Sequence, residues 1–226
     1  MPGVVKLHLG CGQRYLHGYV NIDFPDSEHT VQAGLRADQH ADITLISYPA
    51  ASIDEIRLHH VFEHFDRPMA LALLCRWRDW LKIGGLLRIE TPDALACSKV
   101  LASPLCTFDK KQQVIRHMFG SHEAAWAVHR DGWYVQKFQL TLTTLGFNGL
   151  RFRKNHWGSL KNIEVWATKS AEGISAPEYC RRVKRLLTLS TVRVKTRHPG
   201  VPEGSELELL DVWMNLWEQA YERCAD

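Results

Sequence analysis

The densest group of chemically capable side chains is the run His59-His60-Val61-Phe62-Glu63-His64. An imidazole titrates near pH ~6.5 and suits both proton transfer and metal binding. The spelling H-x-x-E-H over 60–64 matches the inverted zinc-peptidase motif, in which two histidines one helical turn apart hold the metal beside a catalytic glutamate. That chemistry needs the run inside a helix and a further ligand downstream. Here it begins where the strand-like Ile56-Arg57-Leu58-His59 ends. No metal ligand is therefore assigned, and His60 is the first candidate for a general base, with His64 read as structural.

A second group lies at the start of the chain. Lys6-Leu7-His8-Leu9 runs into Gly10-Cys11-Gly12, a strand leading to a G-x-G turn whose glycines let the backbone approach a ligand closely. The next strand-like run, Tyr19-Val20-Asn21-Ile22, ends in Asp23, the place where such folds hold ribose hydroxyls with an acid. Cys11 is read as a small packed side chain, since nothing nearby supplies the positive field that activates a thiol.

These groups need a sheet edge to meet. Strands are expected at 4–9, 19–22, 54–59, 86–90, 150–153 and 163–168, with an apolar helical stripe at Ala70, Leu73, Leu74, Trp77, Trp80 and Leu81 stopped by Gly84-Gly85. A second stripe, Val135, Phe138, Leu142 and Leu145, ends at Gly146 and precedes a terminal hairpin. Alternating strands and helices predict an α/β fold with a mostly parallel sheet. Residues 95–133 lack a clear period and read as an irregular insertion with short helices over the carboxyl edge of the sheet.

The segments Leu9-Gly10-Cys11-Gly12, Gly18-Tyr19-Val20-Asn21-Ile22-Asp23, Ala41-Asp42-Ile43, His60-Val61-Phe62-Glu63-His64, Gly84-Gly85-Leu86-Leu87-Arg88-Ile89 and Thr91-Pro92-Asp93 together resemble class I S-adenosylmethionine-dependent methyltransferases of the "LGCG…GYVNID…HVLEH" type (methyltransferase type 11-like). The resemblance covers about residues 4 to 169. It implies a Rossmann-like domain over 1–169 with a seven-stranded sheet, helices on both faces and a helical extension at 170–226. It also implies that Leu9, Gly10, Cys11 and Gly12 surround the methionine part of the cofactor, Asp23 holds its ribose, Asp42 and Ile43 meet the adenine, and His59 and His60 stand beside the methyl group. One departure is plain: only eleven residues separate Gly12 from Asp23, too few for a full helix between the first two strands. In the insertion, Phe119-Gly120-Ser121-His122 and His129-Arg130-Asp131-Gly132-Trp133 resemble substrate-side segments, which makes His129 the second catalytic candidate. Asp93 either orients a histidine or caps a helix.

The expected reaction is methyl transfer from S-adenosylmethionine, leaving S-adenosylhomocysteine, to a small-molecule or saccharide acceptor, on oxygen. Trp126, Trp133, Tyr134 and Trp157 suit a sugar or an aromatic ring. A non-catalytic cofactor-binding module acting through the C-terminal extension is the alternative, and a zinc metallopeptidase the third reading.

Composition sets the remaining bounds. Hydrophobic residues make up 45% and charged residues 23% of 226, ordinary globular values, and no apolar run nears the roughly 20 residues of a membrane span. Without a secretory signal pattern the chain is expected in the cytoplasm with its six cysteines reduced. A net charge of +3 does not call for nucleic acid, and the basic residues between Arg181 and Arg197 are not interleaved with aromatics. An amphipathic stripe in an acidic segment follows at Leu207, Leu210, Trp213, Leu216, Trp217 and Ala220; the tail is expected to pack as a helical cap, the other readings being a homodimer contact and a basic arm reaching an anionic partner.

Overall fold

The computed structural model describes residues 3–28, 34, 36–192 and 204–223. Arg193, Lys195, Arg197, Pro199, Gly200, Pro202, Glu203 and Cys224 lie outside the described residues. Seven strands form one sheet: β1 (Lys6–Leu9), β2 (Val20–Asp23), β3 (Gln39–His40), β4 (Ile53–His59), β5 (Leu81–Pro92), β6 (Phe147–Trp157) and β7 (Leu160–Lys169). They lie in the order β3-β2-β1-β4-β5-β7-β6. All neighbours from β3 to β5 pair in parallel, and β7 runs antiparallel to both β5 and β6. This is a Rossmann-like α/β sheet with one reversed strand.

The helices are α1 (Arg67–Trp80), α2 (Ala94–Ala102), α3 (Phe108–Phe119), α4 (Val135–Thr144), α5 (Ala176–Thr188) and α6 (Ser205–Glu222). The start of α1 follows from its sequence: the Asp66 carboxylate accepts from the Met69 amide (3.0 Å), and Pro68 sits in the first turn, where no amide is needed. Its end differs from expectation. The glycine pair does not stop the helix; α1 gives way to β5 directly at Leu81, which pairs with Ile53. Gly84 instead lies inside the strand with φ 77°, and the register shifts there, as a bulge that only glycine enters without strain.

Strand alternation sorts the sheet into two unlike faces. Leu7, Leu9, Ile56, Leu58, Leu87, Ile89, Ile163 and Val165 are buried in a core shared with Trp77 and Phe138, and with Tyr179 and Val183 of α5. Full burial of such side chains is worth about 1.5–3 kcal/mol each. The opposite face is polar. Lys6 pairs with Glu55 (3.4 Å), and Arg88 and Arg153 both pair with the buried Glu164 while lying over the Trp166 ring at 5.1 and 5.5 Å. On this face α3 meets the carboxyl end, where His117 Nε2 lies 2.8 Å from Asn162 Oδ1.

The tail packs on α1. Leu210, Met214 and Trp217 of α6 are buried, and the Arg76 guanidinium donates to the Tyr221 carbonyl (2.7 Å). The hydroxyls of Tyr179 and Tyr221 donate to Asp79 at 2.8 and 3.2 Å. Arg78, almost fully buried, donates to the carbonyls of Gly146 (3.0 Å) and Glu172 (2.6 Å). Within the basic run, Arg181 is paired with Glu178, and Arg182 with Glu172 and Glu178.

Candidate active site

The chain leaves β1 at Leu9 and turns at once. Gly10 and Gly12 have φ of 65° and 53°, the left-handed region that glycine enters freely. Gly10 is fixed by a second demand: a Cβ there would stand 2.3 Å from Val61 Cγ2. Asp23, at the end of β2, ties the turn down. Its Oδ2 accepts from the Gly12 amide (2.5 Å) and its Oδ1 from the Phe24 amide (2.7 Å).

Beneath the loop, Asn21 Oδ1 accepts from the Leu16 amide (2.9 Å) and lies 3.0 Å from His8 Nδ1. Burial lowers the His8 pKa to about 4, so the ring is neutral at physiological pH and Nδ1 carries its proton toward Asn21. Burial, with Asp23 nearby, pushes the Cys11 thiol up to about 12, which agrees with an inert packed side chain.

A cavity of about 780 Å³ opens at the carboxyl edge of β1, β2 and β4. Gly10, Cys11, Gly12, Asp23, Asp42, Ile43, His59 and His60, all singled out from the sequence, line it. Two sequence-selected residues do not. Leu9 is fully buried in the core, because strand alternation turns its side chain inward. His129 borders a smaller cavity of about 150 Å³ shared with Glu63, since His64 and Arg130 stand between it and the larger space. Asp42 is used locally, with Oδ1 accepting from the amide and hydroxyl of Thr44 at 2.8 and 2.7 Å.

The histidines gather along one wall. His60 adopts φ 55°, unusual for a non-glycine residue and a recurrent feature of functional sites. Its amide donates to the Glu90 carbonyl (2.9 Å), and its ring Nδ1 lies 3.1 Å from Glu63 Oε1. His59 Nε2 is 3.4 Å from Glu90 Oε1, and the His60 ring is 5.6 Å from that of His117. Burial pulls the His60 pKa down, yet the bond to Glu63 and the charges of Glu63 and Glu90 leave it raised. The buried Glu63 carboxyl is held low by His60 and its neighbours against the cost of burial. Burial lowers His117, and lowers His129 to about 4.

The insertion closes over this wall. The amides of Arg130 and Asp131 donate to the Glu63 carbonyl at 2.8 and 3.3 Å, and Trp126, which lines the large cavity, donates from Nε1 to the Glu28 carbonyl (2.7 Å). Phe62 packs within the core against the tilted Trp133 ring at 4.8 Å. Of the four aromatic residues expected to suit the acceptor, only Trp126 lines the large cavity; Trp133 is buried in the core and Trp157 stands 79% exposed at the hairpin tip. Asp93 caps α2, its carboxylate accepting from the Ala96 amide (3.0 Å). Arg14, Phe24 and Phe65 also line the cavity, and no motif marked them; Val61, inside the histidine run, lines it too.

The H-x-x-E-H run is not helical. Val61 precedes a short 3-10 turn at Phe62–His64, and His60 is left-handed, so its histidines do not share a helix face as the peptidase site requires.

No family model and no curated protein matches the sequence. Solved structures similar in overall shape include an S-adenosylmethionine-dependent methyltransferase from Archaeoglobus fulgidus, at 14% identity and TM-score 0.49, covering 74% of this chain and 87% of that one. Another from Methanosarcina mazei gives 14% identity and TM-score 0.47, covering 74% and 93%. Human N-acetylserotonin methyltransferase in complex with S-adenosylmethionine gives 16% identity and TM-score 0.44, covering 74% and 48%. Likenesses this distant give no residue of this chain a role.

Proposed function

We propose that the chain transfers a methyl group from S-adenosylmethionine to the oxygen of a small-molecule or saccharide acceptor. One observation carries the reading: the glycine turn, the Asp23 carboxylate and His60 converge on a single cavity at the carboxyl edge of the sheet, where open α/β sheets bind nucleotides. Its volume falls within the roughly 300–1,000 Å³ usual for small-molecule sites. The Asp23 carboxylate lines that cavity beside the turn, and an ionised carboxylate accepts from several donors at once, as a ribose diol requires. Ile43 and Phe24 supply apolar wall for an adenine ring.

When bound, S-adenosylmethionine supplies an electrophilic methyl group on a sulfonium. The chain's contribution is to hold an acceptor oxygen in line with that group and to take its proton. His60 is suited to taking the proton, because Glu63 holds Nδ1 and orients the ring as the carboxylate orients the base in nucleophilic triads. Trp126 offers a flat surface for a sugar or aromatic ring.

Calorimetric titration with S-adenosylmethionine and S-adenosylhomocysteine tests the cofactor half. One site per chain, abolished or much weakened in Gly10→Val and Asp23→Ala, is the expected result. Absence of binding by the folded chain overturns the reading. Labelled methyl transfer to a panel of hydroxyl acceptors then tests the acceptor half.

A further inference from the structure

We propose that Glu63, His64 and His129 form a binding site for a divalent transition-metal ion in the wall of the large cavity. One ligand atom from each lies within 4.8 Å of the other two. His59, His60 and Glu90 form a second such group, and two features favour the first. Glu63 Oε2 and His129 Nδ1 are buried with no hydrogen-bond partner among the described residues, whereas Glu63 Oε1 is engaged by His60 at 3.1 Å. Buried polar atoms are costly to leave unmatched, and a cation at the Glu63 carboxylate would match Oε2; the His129 nitrogen facing that carboxylate is Nε2, 3.9 Å from Oε1. In addition, His64 Nδ1 lies 3.3 Å from the Val128 carbonyl, a bond that requires Nδ1–H and leaves the Nε2 lone pair for a ligand. Metal-binding histidines are fixed by the same device. In the second group, Glu90 Oε1 already accepts from Asn155 (3.1 Å).

Two imidazoles and one carboxylate suit zinc or ferrous iron, while magnesium and calcium favour all-oxygen shells. Zinc bonds of about 2.0–2.1 Å set tetrahedral ligand atoms roughly 3.3 Å apart, so the side chains must draw inward by up to about 1.5 Å. The backbone is held for this: Gly120 bridges to Val128, and Arg130 and Asp131 are bonded to the Glu63 carbonyl. The remaining coordination positions open beside His64 and Arg130, which line the cavity. The site is not the H-x-x-E-H arrangement, because His60 is not a ligand and the glutamate is. It goes beyond the methyl-transfer reading and does not depend on it.

The test uses the whole chain without a histidine tag, stripped by a chelator and titrated with zinc against a chromophoric chelator, with cobalt(II) as a spectroscopic probe. Expected are one zinc per chain and visible cobalt d–d bands. Glu63→Gln, His64→Gln and His129→Gln should each weaken zinc by more than about 100-fold, since even outer-shell changes cost about 10–100-fold. His59→Asn should keep wild-type affinity, and His60→Asn, which removes the partner of Glu63 Oε1, should cost less than the three ligand variants, within about 10–100-fold. His64 is only half-buried, so its variant is the least able to disturb folding, and circular dichroism checks all five. Absence of stoichiometric zinc, zinc indifferent to the three ligand variants, or zinc weakened as much by His59→Asn or His60→Asn as by those three overturns the site. Failure of the cofactor reading would show separately, as absent S-adenosylhomocysteine binding.

Discussion

The glycine turn at Gly10–Gly12 and the histidine wall at His59–His64 flank one cavity but are built on opposite plans. The turn is short, made by neighbours in sequence, and closed on itself: its amide, its carboxylate and its sub-layer of Asn21 and His8 are all paired. The wall draws on β4, β5 and an insertion more than 50 residues further along, and it leaves buried acceptors open. A ligand site that is complete before binding discriminates by shape, while an incomplete one waits for an atom to finish it.

The contrast makes ranked predictions. The largest effect is expected on the wall: His60→Asn should lower kcat by about 10²–10⁴ while leaving the S-adenosylhomocysteine Kd unchanged, and an equal loss of cofactor affinity would erase the separation between the two regions. On the turn, Asp23→Asn removes a charge from hydrogen bonds worth about 1.5–3 kcal/mol, so calorimetry should read a cofactor Kd about 10- to 100-fold higher. A smaller effect tests how the turn is supported. His8 has a folded pKa near 4, below the ordinary 6.5, so the unfolded chain binds more protons between those values, and the ring's contribution is full above pH 6.5 and lost as pH falls toward 4. Urea unfolding at pH 7 and pH 5 should differ by on the order of 2 kcal/mol on this account, and His8→Phe should flatten that slope. The smallest effect separates a cap from a catalyst: Asp93→Ala should cost about 1 kcal/mol of stability with kcat intact. A kcat collapse with stability unchanged would return Asp93 to the wall.

Sequence legibility follows the same division. β1, β2 and the glycine turn are close in sequence, with residue types that geometry leaves little choice about, so residue type and spacing mark them; Asp23, only eleven residues past Gly12, takes its assignment from the resemblance. The wall is different. Motif resemblance attaches His129 to the acceptor, but its place behind His64 depends on how the insertion folds back onto the Glu63 carbonyl, which no local pattern encodes. β3 escapes a reading by periodicity because it is two exposed polar residues, Gln39 and His40, paired to β2 and carrying no apolar signal. The end of α1 misleads for the reverse reason: Gly84-Gly85 is a strong local stop, and the pairing of Leu81 with Ile53 overrides it. Val61, which belongs to no glycine motif, decides Gly10, since its methyl groups fill the space a Cβ would need.

The position of β7 between β5 and β6 bears on how the molecule is made. As the chain leaves the ribosome, β1, β2, β4 and β5 can assemble, cavity edge included, before residues 160–169 exist. Through that interval, several seconds at ~5–20 residues per second, β5 offers an unpaired edge of the kind that recruits other chains. Lys82, Arg88 and Glu90 place charge along that edge, and α6, later in the chain than β7, packs on α1 only afterwards. Products truncated before residue 160 should therefore aggregate through β5, and slowing their encounter, by lower temperature or weaker induction, should raise the yield of whole protein more than any change at the cavity.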